Sequence, residues 1–139
     1  MTVKLSSLKA DLARETKGDW VPSLDIPGVE FNVSSLLLPA FRTDRSLMEQ
    51  RLARQHKGKP VPSDIVDVEV GKLLHKHILH DWKGFDVPYS RAAAEEMLCQ
   101  PEGRPFISAV QNAAATLAIP DIEFVEEQEK NSERPSGGD

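Results

Sequence analysis

The stretch GVEFNVSSLLLPAFRTDRSLMEQRLARQ, Gly28 to Gln55, changes its hydrophobic period part-way along. Val29, Phe31 and Val33 alternate with Glu30 and Asn32, the period of two that gives a strand one apolar face. After Pro39 the pattern moves to Phe41, Arg45, Met48 and Leu52, spaced i, i+4, i+7 and i+11, which predicts a helix from about Pro39 to Gln55. A short strand feeding a long helix predicts a mixed fold. Upstream, Asp19 to Val21 reads as a second extended segment, and Asp25-Ile26-Pro27-Gly28 between the two carries turn chemistry. The expectation is a β-hairpin with a loop longer than two residues and Trp20 covering one face. Such a hairpin is marginal alone and must lean on helices.

Working outward, Leu5, Leu8 and Leu12 suit a short helix that Gly18 ends. On the other side, His56 to Pro62 (HKGKPVP) breaks the long helix, because glycine and two prolines cannot continue it. Ser63 then reads as an N-cap, with Asp64 and Asp67 complementing the helix dipole. Val66, Val70, Leu73, Leu74 and Ile78 predict that this helix runs to about Trp82, where Gly84 stops it. Ser90 caps a third helix through Ala94, Met97 and Leu98. A last one starts near Pro105, buries Phe106, Val110, Ala113, Ala114 and Leu117, and ends at Pro120. The fold class expected is α+β, mainly α: a short N-terminal β-hairpin packed on a bundle of about four helices. Residues 1–120 read as a single globular domain, and 121–139 as an acidic, largely disordered tail.

Charge follows the same division. The chain of 139 residues carries a net charge of −5, yet residues 1–120 hold 15 acidic and 15 basic side chains. Seven acidic residues against Lys130 and Arg134 in 121–139 supply the whole excess (2 − 7 = −5). A neutral body has no general attraction for nucleic acid or anionic membrane. No apolar run approaches the roughly 18 residues of a membrane span, and polar Ser6, Ser7, Lys9 and Asp11 interrupt what a signal peptide would keep apolar. Cys99 is the lone cysteine, which suits a reducing compartment. The expected location is cytoplasmic.

Catalytic signatures are missing: no GxSxG, GxGxxG, Walker loop, HExxH or CxxC occurs. The cluster HKHILHDW (His75 to Trp82) invites a metal reading. At roughly 100° per residue on a helix, however, His77 and Asp81 fall together while His75 and His80 diverge. The expectation is therefore His77 hydrogen-bonded to Asp81 and His80 near a helix C-terminus, with no metal and no cofactor. Cys99 reads as a small apolar core residue. The pair Glu95-Glu96 reads as solvated charge. Together these expectations make the protein a non-enzyme. Arg42, Arg45, Arg51, Arg54, Lys57 and Lys59 form a basic segment that nucleic acid phosphates would suit, but only Phe41 is aromatic there, so the expectation is a protein-contact or solvated face and no nucleic acid partner. The acidic tail reads as a solubilising extension or as a segment that orders on a partner; Phe124 and Val125, after Ile119 and Ile122, stand where the ordered body gives out and suit a docking peptide in the second case.

The segment DWKGFDVPYS, Asp81 to Ser90, followed by the helix Arg91 to Leu98, resembles the small tail assembly chaperones of long-tailed phages and phage-like elements. The strands around Gly18-Asp19-Trp20-Val21 and Gly28 to Val33 are similar too, and the likeness covers about residues 9 to 118. One departure is that Arg91, Ala92 and Ala93 stand where an acidic first turn is expected, so the capping box is absent. The resemblance implies a cytoplasmic, non-virion protein that binds the tape measure protein and helps recruit tail tube protein; a homo-oligomer is a separate open expectation. Longer frameshifted products are also made in that group. The contact residues expected with it are Trp82, Phe85 and Tyr89, for which local core packing is the alternative; Phe124 and Val125 are expected as contacts from their placement alone, since nothing beyond Pro120 matches that group. The competing expectations are a virion component, such as a head–tail connector or tail completion protein, and a small DNA-binding regulator using the basic segment.

Overall fold

The computed structural model describes residues 1–125; the disorder expected of the acidic tail from residue 126 onward lies outside the described residues. The chain divides into two units, Leu12–Ala118 and a smaller one of Met1–Asp11 with the chain from Ile119. In the smaller unit, strand β1 (Thr2–Val3) pairs antiparallel with β5 (Phe124–Val125), in the register Thr2 with Val125 and Val3 with Phe124. The Lys4 amide donates to the Glu123 carbonyl at 2.8 Å, and the Glu123 amide to Ser7 Oγ at 3.0 Å. Leu5–Leu8 is a single 3-10 turn. Leucine spacing alone predicted one helix through Leu5, Leu8 and Leu12. Leu5 and Leu12 remain exposed, so no buried face holds that helix together, and α1 (Leu12–Lys17) begins separately.

The larger unit is built on a three-stranded antiparallel sheet in the order β2 (Asp19–Pro22), β3 (Glu30–Val33), β4 (Leu79–Lys83). The hairpin β2–β3 is the one the alternation predicts. Its loop is closed by Ser23, whose Oγ accepts from the amides of Asp25 and Ile26. Asn112 Nδ2 ties Asp25 to the helix beneath at 2.9 Å. Val21, Phe31 and Trp82 are direct cross-strand partners, so one row of large apolar side chains crosses the sheet. All three are buried. Trp20 lies on the other face, with Lys83 Nζ 4.0 Å above its ring.

Helix α2 (Pro39–Gln55) has the predicted bounds and buries Phe41, Met48 and Leu52. Helix α3 (Ser63–Leu73) starts as expected but does not reach Trp82. It widens into a π-helical turn, Leu74–Ile78, and the chain then leaves as β4. A two-stranded hairpin leaves the outer backbone groups of β3 unpaired. Residues 79–83 supply the missing partners, with a register shift beside Val33, and this tertiary pairing overrides the helical periodicity. Helices α4 (Arg91–Leu98) and α5 (Arg104–Leu117) complete the unit. Ser90 Oγ caps α4 by accepting from the Ala93 amide at 3.0 Å. The α+β, mainly helical class stands, with a third strand in the sheet.

At Gly71, α3 and α4 approach so closely that a Cβ would overlap the Leu98 carbonyl oxygen. Backbone touching backbone at this point fixes α4 against α3, and therefore fixes the side chains that α4 presents next to β4.

Candidate functional site

The segment that follows β4 folds over the end of the sheet. Gly84, at φ +99°, turns the chain in a conformation that a residue with a Cβ rarely adopts. A Cβ there would also collide with the Gly28 carbonyl of the hairpin loop. The turn is closed from inside by the Trp82 indole N–H, which donates to the Val87 carbonyl at 2.8 Å.

Around that indole the rings meet edge to face. Tyr89 is 5.1 Å away, Phe85 5.6 Å and Phe106 5.6 Å between centroids, with interplanar angles of 81–84°. Phe31 joins through Phe106 at 5.7 Å and Phe85 at 6.1 Å. Such arrangements contribute about 0.5–1.5 kcal/mol per pair beyond area burial. The cluster is thus both a structural anchor and the wall of a cavity of about 280 Å³. Trp82, Phe85 and Phe106 line one side, and Val87, Ala93 and Met97 the other. Val87 and Met97 are 50% and 38% exposed, so the pocket opens to solvent through apolar side chains. Asp86 and Glu96 stand at its edge. It can seat an apolar side chain from a partner and attract a cationic neighbour, as groove recognition of a helix does.

The proposed contact residues are therefore used unequally. Trp82, 7% exposed, belongs mostly to the core; Phe85 and Tyr89 are half-buried. Phe124 and Val125 are exposed residues of β5 in the smaller unit. Val87, Ala93, Met97 and Phe106 were missed as site residues. Ala93 and Met97, four apart on one helix face, carried the signal, but their orientation depends on the turn at Gly84.

The histidines have other partners than the sequence suggests. His77 Nε2–H donates to Asp44 of α2 at 2.7 Å, not to Asp81, because its helix ends before Asp81 can sit one turn on. That bond and the one from Lys76, at 3.1 Å, hold the Asp44 carboxyl below its ordinary range. His80 lies in β4, not at a helix terminus. Its Nε2 is 2.7 Å from Ser34 Oγ, which itself donates to the Thr16 carbonyl at 3.0 Å. With the hydroxyl proton committed, His80 must donate from Nε2. Burial lowers the pKa of His80, and burial followed by the Arg91 charge lowers that of His75. Among the described residues no three His, Cys, Asp or Glu side chains are grouped to hold a metal ion. Cys99 is half-buried, and burial with nearby Glu95 pushes its thiol up, away from the thiolate that a nucleophile needs.

A family model described as YdaY prophage protein matches residues 37–131, more than half of the chain. The chain belongs to the YdaY prophage protein family. It is a phage-derived protein, and the part that the family model matches takes in α2, α3, β4, the aromatic turn, α4, α5 and β5. The YdaY family description gives a prophage origin and no tail role. No curated protein and no solved structure matches the chain.

Proposed function

We propose that this protein is a non-enzymatic tail assembly chaperone, acting in the bacterial host's cytoplasm and binding the tape measure protein while tail tube protein assembles around it. The observation that carries the reading is the aromatic pocket behind Trp82, open through Val87 and Met97 and edged by Asp86 and Glu96. A tape measure protein is a long helical chain whose apolar faces stand in water until the tube encloses them. An open apolar pocket accepts a side chain from such a face, and its acidic edge favours a neighbouring Lys or Arg. Membership in a prophage family agrees with a phage setting, and the partner itself is suggested by the resemblance carried by Asp81 to Leu98. No metal or cofactor enters the reading.

Two measurements on induced cells test it. The tagged protein is expected to co-purify with the tape measure protein of the same phage element, and mass spectrometry of purified particles is expected not to find it. Its presence in particles at stoichiometric amounts would instead make it a head–tail connector or tail completion component.

A further inference from the structure

A second groove lies between α2 and α3, on side chains that the aromatic pocket does not use. Its volume is about 530 Å³. The apolar floor is Met48, buried, with Leu73 half-buried and Leu47 56% exposed. The walls carry Arg51, Arg54, Lys72 and Lys76 against only Asp44 and Glu69. Both carboxylates are already taken. Glu69 holds Arg51 at 2.6 Å and Lys72 at 3.1 Å, while Asp44 holds Lys76 at 3.1 Å and His77 at 2.7 Å. Burial alone would raise the Glu69 pKa, but the bonds from Arg51 and Lys72 outweigh it and keep the group ionised. The Arg54 guanidinium forms no ion pair among the described residues. A chain with net charge −5 thus presents one groove with two surplus positive charges over an exposed leucine.

We propose that this groove binds an acidic amphipathic helix of a partner protein. Carboxylates along the flanks of such a helix meet Arg54 and the outward sides of Arg51, Lys72 and Lys76, and its apolar stripe covers Leu47 and Leu73. Nucleic acid fits less well: phosphates have no use for an apolar floor, and no aromatic ring lines the groove to stack a base. The proposal stands apart from the tape measure reading, since the two use different elements and opposite charges.

The probe is a fluorescein-labelled peptide of about 18 residues, roughly five helical turns, with leucine along one face and glutamate elsewhere, titrated into the full chain at low salt. Saturable binding is expected, weakened about tenfold, or ~1.4 kcal/mol, by Arg54→Glu and by Leu47→Glu. Met97→Glu in the aromatic pocket is expected to leave it unchanged. Arg54→Gln and Leu47→Gln, which add no repulsion, are expected to weaken it in the same order. Three results would overturn the proposal: no binding, equal binding of a scrambled peptide without the apolar stripe, or tighter binding of duplex DNA in competition. The last would make the groove a nucleic-acid site.

Discussion

Two imidazoles in the larger unit are held toward the neutral form, and this sets the response of the fold to acid. His80 and His75 both have pKa values lowered by burial, so the unfolded chain takes up protons first as pH falls. Stability then drops from about pH 6.5 downward, where an ordinary histidine charges. The lowered carboxyls of Asp44, Glu69 and Asp19 act in the same direction, but only below the ordinary carboxylate range. Thermal melts between about pH 7 and about pH 5 are expected to show a falling Tm, with a shallower slope for the His75→Asn/His80→Gln double variant; equal slopes would remove the imidazoles from the account. Ser90 makes a smaller contribution. Its Oγ satisfies the Ala93 amide, so Ser90→Ala is expected to cost about 1 kcal/mol in denaturant unfolding. If Ser90→Ala unfolds at the same denaturant concentration, the cap adds nothing.

Strand β4 shows where the sequence was legible and where it was not. Helix α2, the hairpin and the Ser90 cap were readable because local signals decide them: period, turn residues and a capping side chain. Residues 74–83 were not, because Leu74 and Ile78 continue the apolar stripe of α3, and only the unpaired edge of β3 draws the chain out of the helix. That edge is a tertiary fact with no trace in the local pattern. The error carried into the histidines, since a helix through Asp81 put His77 beside the wrong carboxylate. The site suffered similarly: the aromatic residues Trp82, Phe85 and Tyr89 were visible as a motif, but Val87 and Met97 become its open side only once Gly84 turns the chain. Gly84→Ala is therefore expected to destabilise by about 3 kcal/mol, from strained φ and the clash with the hairpin loop. Gly71→Ala should cost a similar ~3 kcal/mol by forcing α4 off α3, read from urea midpoints. A wild-type midpoint for Gly71→Ala would mean that the two helices do not touch there.

At the scale of the whole protein, the phage origin is given by family membership, and the proposed tail role rests on one apolar opening. Two grooves of the larger unit contrast in character: an aromatic pocket edged by Asp86 and Glu96, and a basic channel over Leu47. An assembly factor that must hold a partner and later release it has use for contacts of this modest size, because a few buried side chains give affinity without a permanent interface. Met97, 38% exposed, reports on the pocket with little risk to the fold. The most direct measurement is the affinity of the purified full chain for the tape measure protein of the same phage element, compared with that of Met97→Glu at unchanged Tm. The account predicts binding by the wild-type chain and a loss of about tenfold or more, ~1.4 kcal/mol, in the variant. Equal affinity of the two proteins, or no association by either, would contradict it.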